Sequence, residues 1–189
     1  IDGLGAAFVG SDNFQSIPMI VDYLCRTGEP PCFFEMPPVN PNANKRRTAY
    51  IQAMEALGHD PQVVRVDGAG WEFEQVGFTE GRRLMAEKVL PSSTVLCSND
   101  RLAIGFIAAA VDLGLSVGHG EGCARRVAGH DDHPFARCTC PSLTTVSQDY
   151  VSISNRSVEY LFDLLETGET QSPRQDILFD GTLVMRRSA

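Results

Sequence analysis

The sequence has no long hydrophobic run, no internal repeat and no low-complexity segment. Because a membrane-spanning helix needs ~20 consecutive apolar residues, the first absence argues against an integral membrane protein. With 43% hydrophobic and 21% charged residues in a chain of 189, the composition is also not that of a disordered protein. The chain begins with Ile1, and neither the charged region nor the apolar stretch of a signal peptide follows.

Basic residues are scarce relative to acidic ones. Sixteen Lys and Arg stand against 24 Asp and Glu, which gives a formal net charge of −8. Since binding to nucleic acid depends on positive charge, the chain carries no overall electrostatic footprint for it. We expect any contact with DNA to lie outside these residues.

The six cysteines do not show the spacing of a disulfide framework, so a reducing compartment, the cytoplasm, is predicted. One stretch, residues 119–140, combines cysteines with histidines, but it lacks the paired C-x₂-C spacing of a structural zinc site. We therefore predict no metal and no other cofactor. A metal-dependent enzyme that uses residues 119–140 is kept as an alternative.

Recognisable catalytic motifs are also absent. The sequence has no G-x-S-x-G elbow, no Walker loop and no G-x-G-x-x-G after a predicted strand. Asp131 and Asp132 are adjacent carboxylates, but neighbouring residues at a strand end point apart, which disfavours acid–base catalysis by the pair. The sequence therefore predicts a protein that is not an enzyme.

What the sequence does contain is an alternation of short β-rich runs and amphipathic helical runs. This order predicts βαβ units and an α/β fold, with mostly parallel sheet covered by helices on both faces. Because Pro18 suits only a first helical turn, the first helix is predicted to begin near Ser16. The last helix, from about Tyr150 to Glu166, is predicted to turn five apolar side chains inward: Val151, Val158, Leu161, Phe162 and Leu165.

Polar side chains follow nearly every predicted strand. Ligands of an open α/β sheet bind beyond the carboxyl ends of its strands, which is where Asn99, Asp131 and Gln148 are placed. Helix capping explains some residues of this kind, Asp100 most clearly, but it does not require Asn99 beside it. A carboxylate accepts hydroxyl hydrogens and an amide both donates and accepts, so the set indicates a polyhydroxylated ligand.

Two further residues fit such a ligand. Trp71 is the only tryptophan, and its indole face could stack on a sugar or on a planar ring; the alternative is a buried core anchor. Arg46 begins the helix after a Pro/Asn-rich loop, and its planar fork could hold hydroxyls or a carboxylate. The alternative for Arg46 is a solvated arginine on the helix face.

Several stretches together resemble sequence blocks of the lac-repressor (LacI/GalR) family of bacterial transcription regulators. Residues 93–105 followed by 113–117 are similar to the block ANDxxALG…LGxxVP, and residues 127–132 are similar to VVGFDD. Residues 141–148 are similar to PPLTTVxQ and residues 183–188 to LVxRxS. The order and spacing of these blocks match over essentially the whole chain.

The resemblance implies an effector-binding domain with the type I periplasmic-binding-protein-like fold: two α/β lobes, three chain crossings and a ligand in the cleft. It assigns ligand contacts to six positions: Gln15, Arg46, Trp71, Asn99, Asp131 and Gln148. Because one extra residue lies between Trp71 and Gly77, Glu72 is the alternative to Trp71 at the stacking position. Two departures stand out. The aromatic residue that the family has before the paired aspartates is His130 here, and the loop over residues 118–124 is longer than usual.

The resemblance also implies parts outside this chain. Family members begin with a helix-turn-helix DNA-binding domain, a hinge and the first half of an N-terminal lobe, so we interpret Ile1 as a position inside that lobe. Residues 1–30 and 149–180 are predicted to form part of the N-terminal lobe, and residues 31–148 and 181–189 a complete C-terminal lobe. The implied partners are a small polar effector (a sugar or a similar molecule), DNA through the absent domain, and a second copy in a homodimer. The alternative with the same fold is a periplasmic sugar-binding protein that serves a transporter.

Overall fold

The structure is a computed structural model that describes residues 8–66, 70–167 and 176–189. Strands and helices alternate through most of it. The strands are β1 (Phe8–Ser11), β2 (Cys32–Phe34), β3 (Val63–Val64), β4 (Thr94–Cys97), β5 (Arg126–Ala128), β6 (Thr145–Ser147), β7 (Asp176–Phe179) and β8 (Thr182–Val184). The helices are α1 (Asn13–Thr27), α2 (Pro41–Ala56), α3 (Phe73–Glu87), α4 (Asp100–Asp112) and α5 (Tyr150–Thr167), with a 3₁₀ turn over Pro134–Arg137. No helix among these residues is both long and apolar enough to cross a membrane.

A four-stranded parallel sheet forms the centre, in the order β3-β2-β4-β5. β6 pairs antiparallel with β8 and is joined to the edge of the central sheet by a bridge between Ala128 and Thr144. β1 and β7 form a separate parallel pair. The predicted α/β fold with mostly parallel strands is therefore confirmed.

Helices cover both faces of the central sheet, because successive strand residues point to opposite sides. Cys32 and Phe34 of β2 pack in the core with α3 and α4, where Phe34 meets Phe106 edge-on with ring centroids 5.3 Å apart. Phe33, between them, packs on the other side and stacks on Tyr50 of α2 at 5.0 Å. The apolar strands of this sheet are thus buried on both faces.

Helix α1 differs from its prediction in its start and in its packing. It begins at Asn13, three residues before Ser16, because the Asp12 carboxylate caps it by accepting from the amide of Phe14 at 2.8 Å. Pro18 therefore lies inside the helix rather than in its first turn. The apolar face of α1 lies in the same core as Phe33 and Tyr50. This packing places α1 with the central sheet, whereas residues 1–30 were predicted to belong to the other lobe.

Helix α5 has the predicted position but not the predicted burial. None of its residues is buried, and the five side chains expected to face inward are more than half exposed. Their exposure follows from packing: α5 lies next to β1, and no other described element covers its apolar face. The helix predicted from the spacing is confirmed. Burial of its apolar face, however, needs a packing surface that the described residues do not provide.

We expect matched Leu→Ala substitutions to separate the packed core from the apolar face of α5. Leu96, at the centre of β4, is 0% exposed, and Leu96→Ala should lower the free energy of unfolding by about 2–5 kcal/mol through lost contacts and a cavity. Leu161 is 55% exposed, and Leu161→Ala should change it by less than about 0.5 kcal/mol. Urea unfolding measures both. An equal loss for Leu161→Ala would show that the face is covered in solution.

Candidate functional site

Arg46 is the centre of the polar network at the carboxyl end of the central sheet. Although it carries a full charge, it is almost completely buried in α2. Its Nε donates to Asn13 Oδ1 at 3.0 Å, its Nη1 to the carbonyl of Ser98 at 2.6 Å, and its Nη2 to Asp131 Oδ1 at 2.6 Å. One guanidinium therefore joins the start of α1, the end of β4 and the loop after β5. The solvated alternative for Arg46 is wrong.

Asp131 is the acidic partner in this network, and it is held ionised. Burial by itself would raise the pKa of its carboxyl group, but the adjacent Arg46 cation and hydrogen bonds hold that pKa well below its usual range. Besides Arg46, its Oδ1 accepts from Gln148 Nε2, and Gln148 Oε1 in turn accepts from Ser11 Oγ. Arg46, Asp131 and Gln148 thus form one connected group, which contains two residues of the strand-end set, Asp131 and Gln148.

The two neighbouring aspartates have different partners because the backbone turns sharply between them. Asp131 has a φ of 122° and Asp132 a φ of 51°, both in the region that L-residues adopt rarely. Asp132 points away from the network and accepts from Arg186 Nη2 at 2.6 Å. The expectation that these carboxylates point apart is met, and no paired-carboxylate geometry exists for acid–base work.

His130 is fully buried behind Asp131 and bonds to two neighbours. Its Nδ1 lies 3.1 Å from Asp131 Oδ1, and its Nε2 lies 2.9 Å from Ser16 Oγ. Burial and the nearby Arg46 cation lower the pKa of the imidazole to about 4, so the ring is neutral at pH 7. Since an ionised carboxylate can only accept, Nδ1 must carry the proton and the Ser16 hydroxyl must donate to Nε2.

A cavity of about 280 Å³ opens beside this network. Five of the six predicted contact residues line it: Arg46, Trp71, Asn99, Asp131 and Gln148. Trp71 is 57% exposed, and its ring meets Phe73 edge-on at a centroid distance of 5.7 Å. The core-anchor alternative for Trp71 is therefore wrong, and more than half of this side chain is open to solvent at the cavity.

Asn99, rather than Asp100, caps helix α4. Its Oδ1 accepts from the amide of Leu102 at 2.8 Å, while its Nδ2 stays on the cavity side near Met36. Asp100 is instead the first helical residue and is buried, accepting from Thr145 Oγ1 at 2.6 Å. Burial raises the pKa of Asp100 to about 7. One side chain can thus serve as a cap and as part of the cavity wall, which the sequence argument treated as alternatives.

Gln15 does not join the cavity. Its Oε1 accepts from the backbone amide of Gly181 at 2.9 Å, so it ties the start of α1 to the turn before β8. Gly181 has no room for a side chain, since a Cβ there would lie 2.6 Å from Val146. Of the six predicted positions, Gln15 alone is occupied by a backbone contact away from the cavity lining.

Six residues that line the cavity are not among the predicted positions: Met36, Asn40, Asn42, Phe73, Arg101 and Tyr150. Tyr150 donates to the carbonyl of Asp131 at 2.8 Å, and Arg101 makes a two-pronged contact with Glu74 at 2.6 Å while its cation lies over the Phe73 ring. Tyr150 directly follows the strand-end pair of Gln148 and Asp149, so its place in the sequence could have indicated that it lies at the site. Nothing in the local sequence of α3 and α4 shows that Phe73 and Arg101 meet.

The cysteine- and histidine-rich stretch does not assemble into a metal centre. His119, Cys123 and Cys140 line one cavity at the other end of the sheet. Within the part of the chain that the structure describes, no group of three or more His, Cys, Asp or Glu side chains is arranged to hold a metal ion.

The chain matches the family model of the periplasmic binding protein-like domain over residues 23–189. It is 30% identical over 112 residues to the lactose operon repressor of Escherichia coli (strain K12), which covers 59% of this chain and 29% of that protein. It is 30% identical over 118 residues to the HTH-type transcriptional repressor PurR of Actinobacillus pleuropneumoniae serotype 5b (strain L20), covering 62% and 34%. The chain thus spans about a third of the length of these curated relatives.

Solved structures show the same fold. A LacI-type transcription regulator from Bifidobacterium animalis subsp. lactis DSM 10140 superposes with a TM-score of 0.82. The superposition covers 99% of this chain and 69% of the regulator's chain, and the two sequences are 21% identical. At that identity the likeness establishes the architecture and not the ligand.

We expect Arg46→Ala to be strongly destabilising, because it leaves the Asp131 carboxylate partly buried without its cation. The free energy of unfolding should fall by about 3–5 kcal/mol. Arg82→Ala removes an exposed ion pair with Asp112 and should cost less than about 1 kcal/mol. Adding Asp131→Asn to Arg46→Ala should recover part of the loss in urea unfolding. No recovery would mean that the carboxylate is not the group left uncompensated.

His130 should make the folded protein less stable in acid. Between pH 6.5 and about 4 the unfolded chain binds a proton on this imidazole that the folded chain does not, so stability falls as the pH falls. Over this whole pH range, the His130 imidazole lowers the free energy of unfolding by about 3 kcal/mol. Subtracting the unfolding profile of His130→Phe from that of the unchanged protein isolates this part, since Asp100 titrates in both. A flat difference between pH 6.5 and 4 would contradict the assignment.

Proposed function

Because the chain belongs to the periplasmic binding protein-like domain family, we propose that it is the effector-sensing domain of a LacI-type transcription regulator. The sequence resemblance to such regulators is borne out by the repressors among its relatives. What carries the proposal is the preformed cavity at the carboxyl end of the parallel sheet, where Arg46, Asp131 and Gln148 are already held in one hydrogen-bonded group. Such ends are the usual ligand sites of open α/β sheets.

The ligand we propose is a small polar molecule rich in hydroxyl groups, such as a sugar. Asn99 and Gln148 offer amide groups, Asp131 accepts hydroxyl hydrogens, and the exposed Trp71 indole can stack on the C–H face of a sugar ring. The cavity volume of about 280 Å³ suits a molecule of that size. The relatives include proteins named as lactose operon and PurR repressors, so the ligand class rests on the cavity chemistry rather than on a name.

The cavity lies where two groups of elements meet. β1, β7 and α5 form one group, from which Tyr150 lines the cavity, and the central sheet with α1 to α4 forms the other. Ser11 of β1 bonds to Gln148, and Tyr150 of α5 bonds to the loop after β5, so both contacts cross between the groups. We propose that these groups are the two lobes, and that effector binding favours one lobe arrangement by differential affinity.

Several properties of the whole protein follow from the same proposal. DNA would be bound by a separate helix-turn-helix domain, a second copy would complete a homodimer, and the protein would act in the cytoplasm without a cofactor. The relatives named as repressors are not enzymes. They also disfavour the two alternatives, a periplasmic sugar-binding protein and a metal-dependent enzyme.

A thermal-shift screen of sugars and purines tests the proposal on the full-length protein. A ligand that binds only the folded state raises the melting temperature. Trp71 is the only tryptophan in these 189 residues, so the same ligand should also change the part of the fluorescence that Trp71→Phe removes. A sugar that raises the melting temperature but leaves the fluorescence unchanged would place its site elsewhere.

Asn99→Ser should weaken binding of that ligand without unfolding helix α4. Serine caps a helix about as well as asparagine, but it lacks the amide group that Asn99 presents to the cavity. We expect a loss of affinity of about three- to tenfold in a fluorescence titration. Asn155→Ser changes an exposed asparagine of α5 outside the cavity and should leave affinity unchanged. Equal affinities for all three proteins would argue against this cavity as the site.

A further inference from the structure

A second and larger cavity, of about 680 Å³, lies at the opposite end of the central sheet. It is formed by the loop before β5, the segment before β6 and the chain after β8. These segments lie at the amino end of β5, where Gly118 donates to the carbonyl of Arg125 at 2.9 Å. The cavity shares no lining residue with the site beside Arg46. It includes the loop over residues 118–124 that is longer than the family pattern.

The charge of this cavity is unusual for an acidic chain. Arg137, Arg187 and His119 line it, and none of the lining residues is an aspartate or a glutamate. Within the described ranges, neither arginine side chain makes an ion pair or a hydrogen bond to protein. Several arginines elsewhere, such as Arg82 and Arg101, are paired with carboxylates. Two unpaired guanidinium groups therefore face one concave space in a protein of net charge −8.

The walls of the cavity are held by backbone contacts, so the two arginines are not on independent loops. The amides of Arg187 and Ser188 both donate to the carbonyl of Ser142 at 3.0 Å, which joins the chain after β8 to the segment before β6. Gly118 is buried with a φ of 154°, and a Cβ there would lie 3.0 Å from Cys123 Sγ. Glycine at this position lets the long loop close against the other two segments.

We propose that this cavity binds the phosphate monoester of a small organic molecule, at a site separate from the effector cavity. A guanidinium group matches the geometry of phosphate oxygens and forms two parallel hydrogen bonds to them. The Ser142 hydroxyl and the His119 ring add further polar groups at the wall. The volume exceeds what a bare phosphate ion needs and falls in the range of small-molecule sites, which leaves room for the organic part.

Calorimetry with glucose 6-phosphate as the probe, and glucose and inorganic phosphate as comparisons, tests this site. We expect glucose 6-phosphate to bind more tightly than either comparison, and its affinity to fall with added salt. Arg137→Gln and Arg187→Gln should each weaken it about tenfold. Arg65→Gln, which changes an exposed arginine outside both cavities, should leave it unchanged. Equal binding by Arg137→Gln, Arg187→Gln and the unchanged protein would overturn the proposal, as would the absence of binding.

Thiol labelling locates the bound probe without relying on substitutions. Cys140 lines the cavity, whereas Cys138, two residues away and also exposed, does not. Glucose 6-phosphate should slow alkylation of Cys140 by iodoacetamide and leave Cys138 unchanged, as read by fragment-ion mass spectrometry. Equal labelling of Cys140 with and without the probe would refute the site. A change in Trp71 fluorescence with no protection of Cys140 would mean that the probe occupies the effector cavity instead.

Discussion

A single buried cation, Arg46, organises the carboxyl end of this fold. Taking a guanidinium group out of water is costly unless its donors are used, and here three of them bond to acceptors from three different elements. The chain therefore has to bring the start of α1, the end of β4 and the loop after β5 to fixed positions around it. The Arg46 charge helps to hold the pKa of Asp131 low, and it adds to the burial that keeps His130 neutral.

The same constraint prepares the cavity for a ligand. Because Arg46 and Gln148 hold Asp131 from two sides, the carboxylate is oriented before any ligand arrives, which lowers the ordering cost of binding. The contacts from Ser11 and Tyr150 reach the same group from the other set of elements. A molecule that exchanges hydrogen bonds with this group would change the interactions across the boundary, which is what a sensor with two lobe arrangements requires.

The two ends of the sheet differ in charge. At the carboxyl end, amides, a carboxylate and two already paired arginines, Arg46 and Arg101, line the smaller cavity. At the amino end, Arg137 and Arg187 face the larger cavity without acidic partners among the described residues. Paired and unpaired arginines have different consequences: Arg46 stabilises the fold and positions other groups, whereas an unpaired guanidinium keeps its donors for an anion.

The order of strands and helices, the family resemblance and the strand-end set of Asn99, Asp131 and Gln148 could be predicted from the sequence, because periodicity and position after a strand are local properties. What each side chain contacts could not be predicted in this way. The tertiary structure buried α1 in the central core, left the apolar face of α5 exposed and bonded Gln15 to Gly181. Burial and hydrogen bonding depend on which distant surfaces meet, and the spacing of residues along one element does not contain that information.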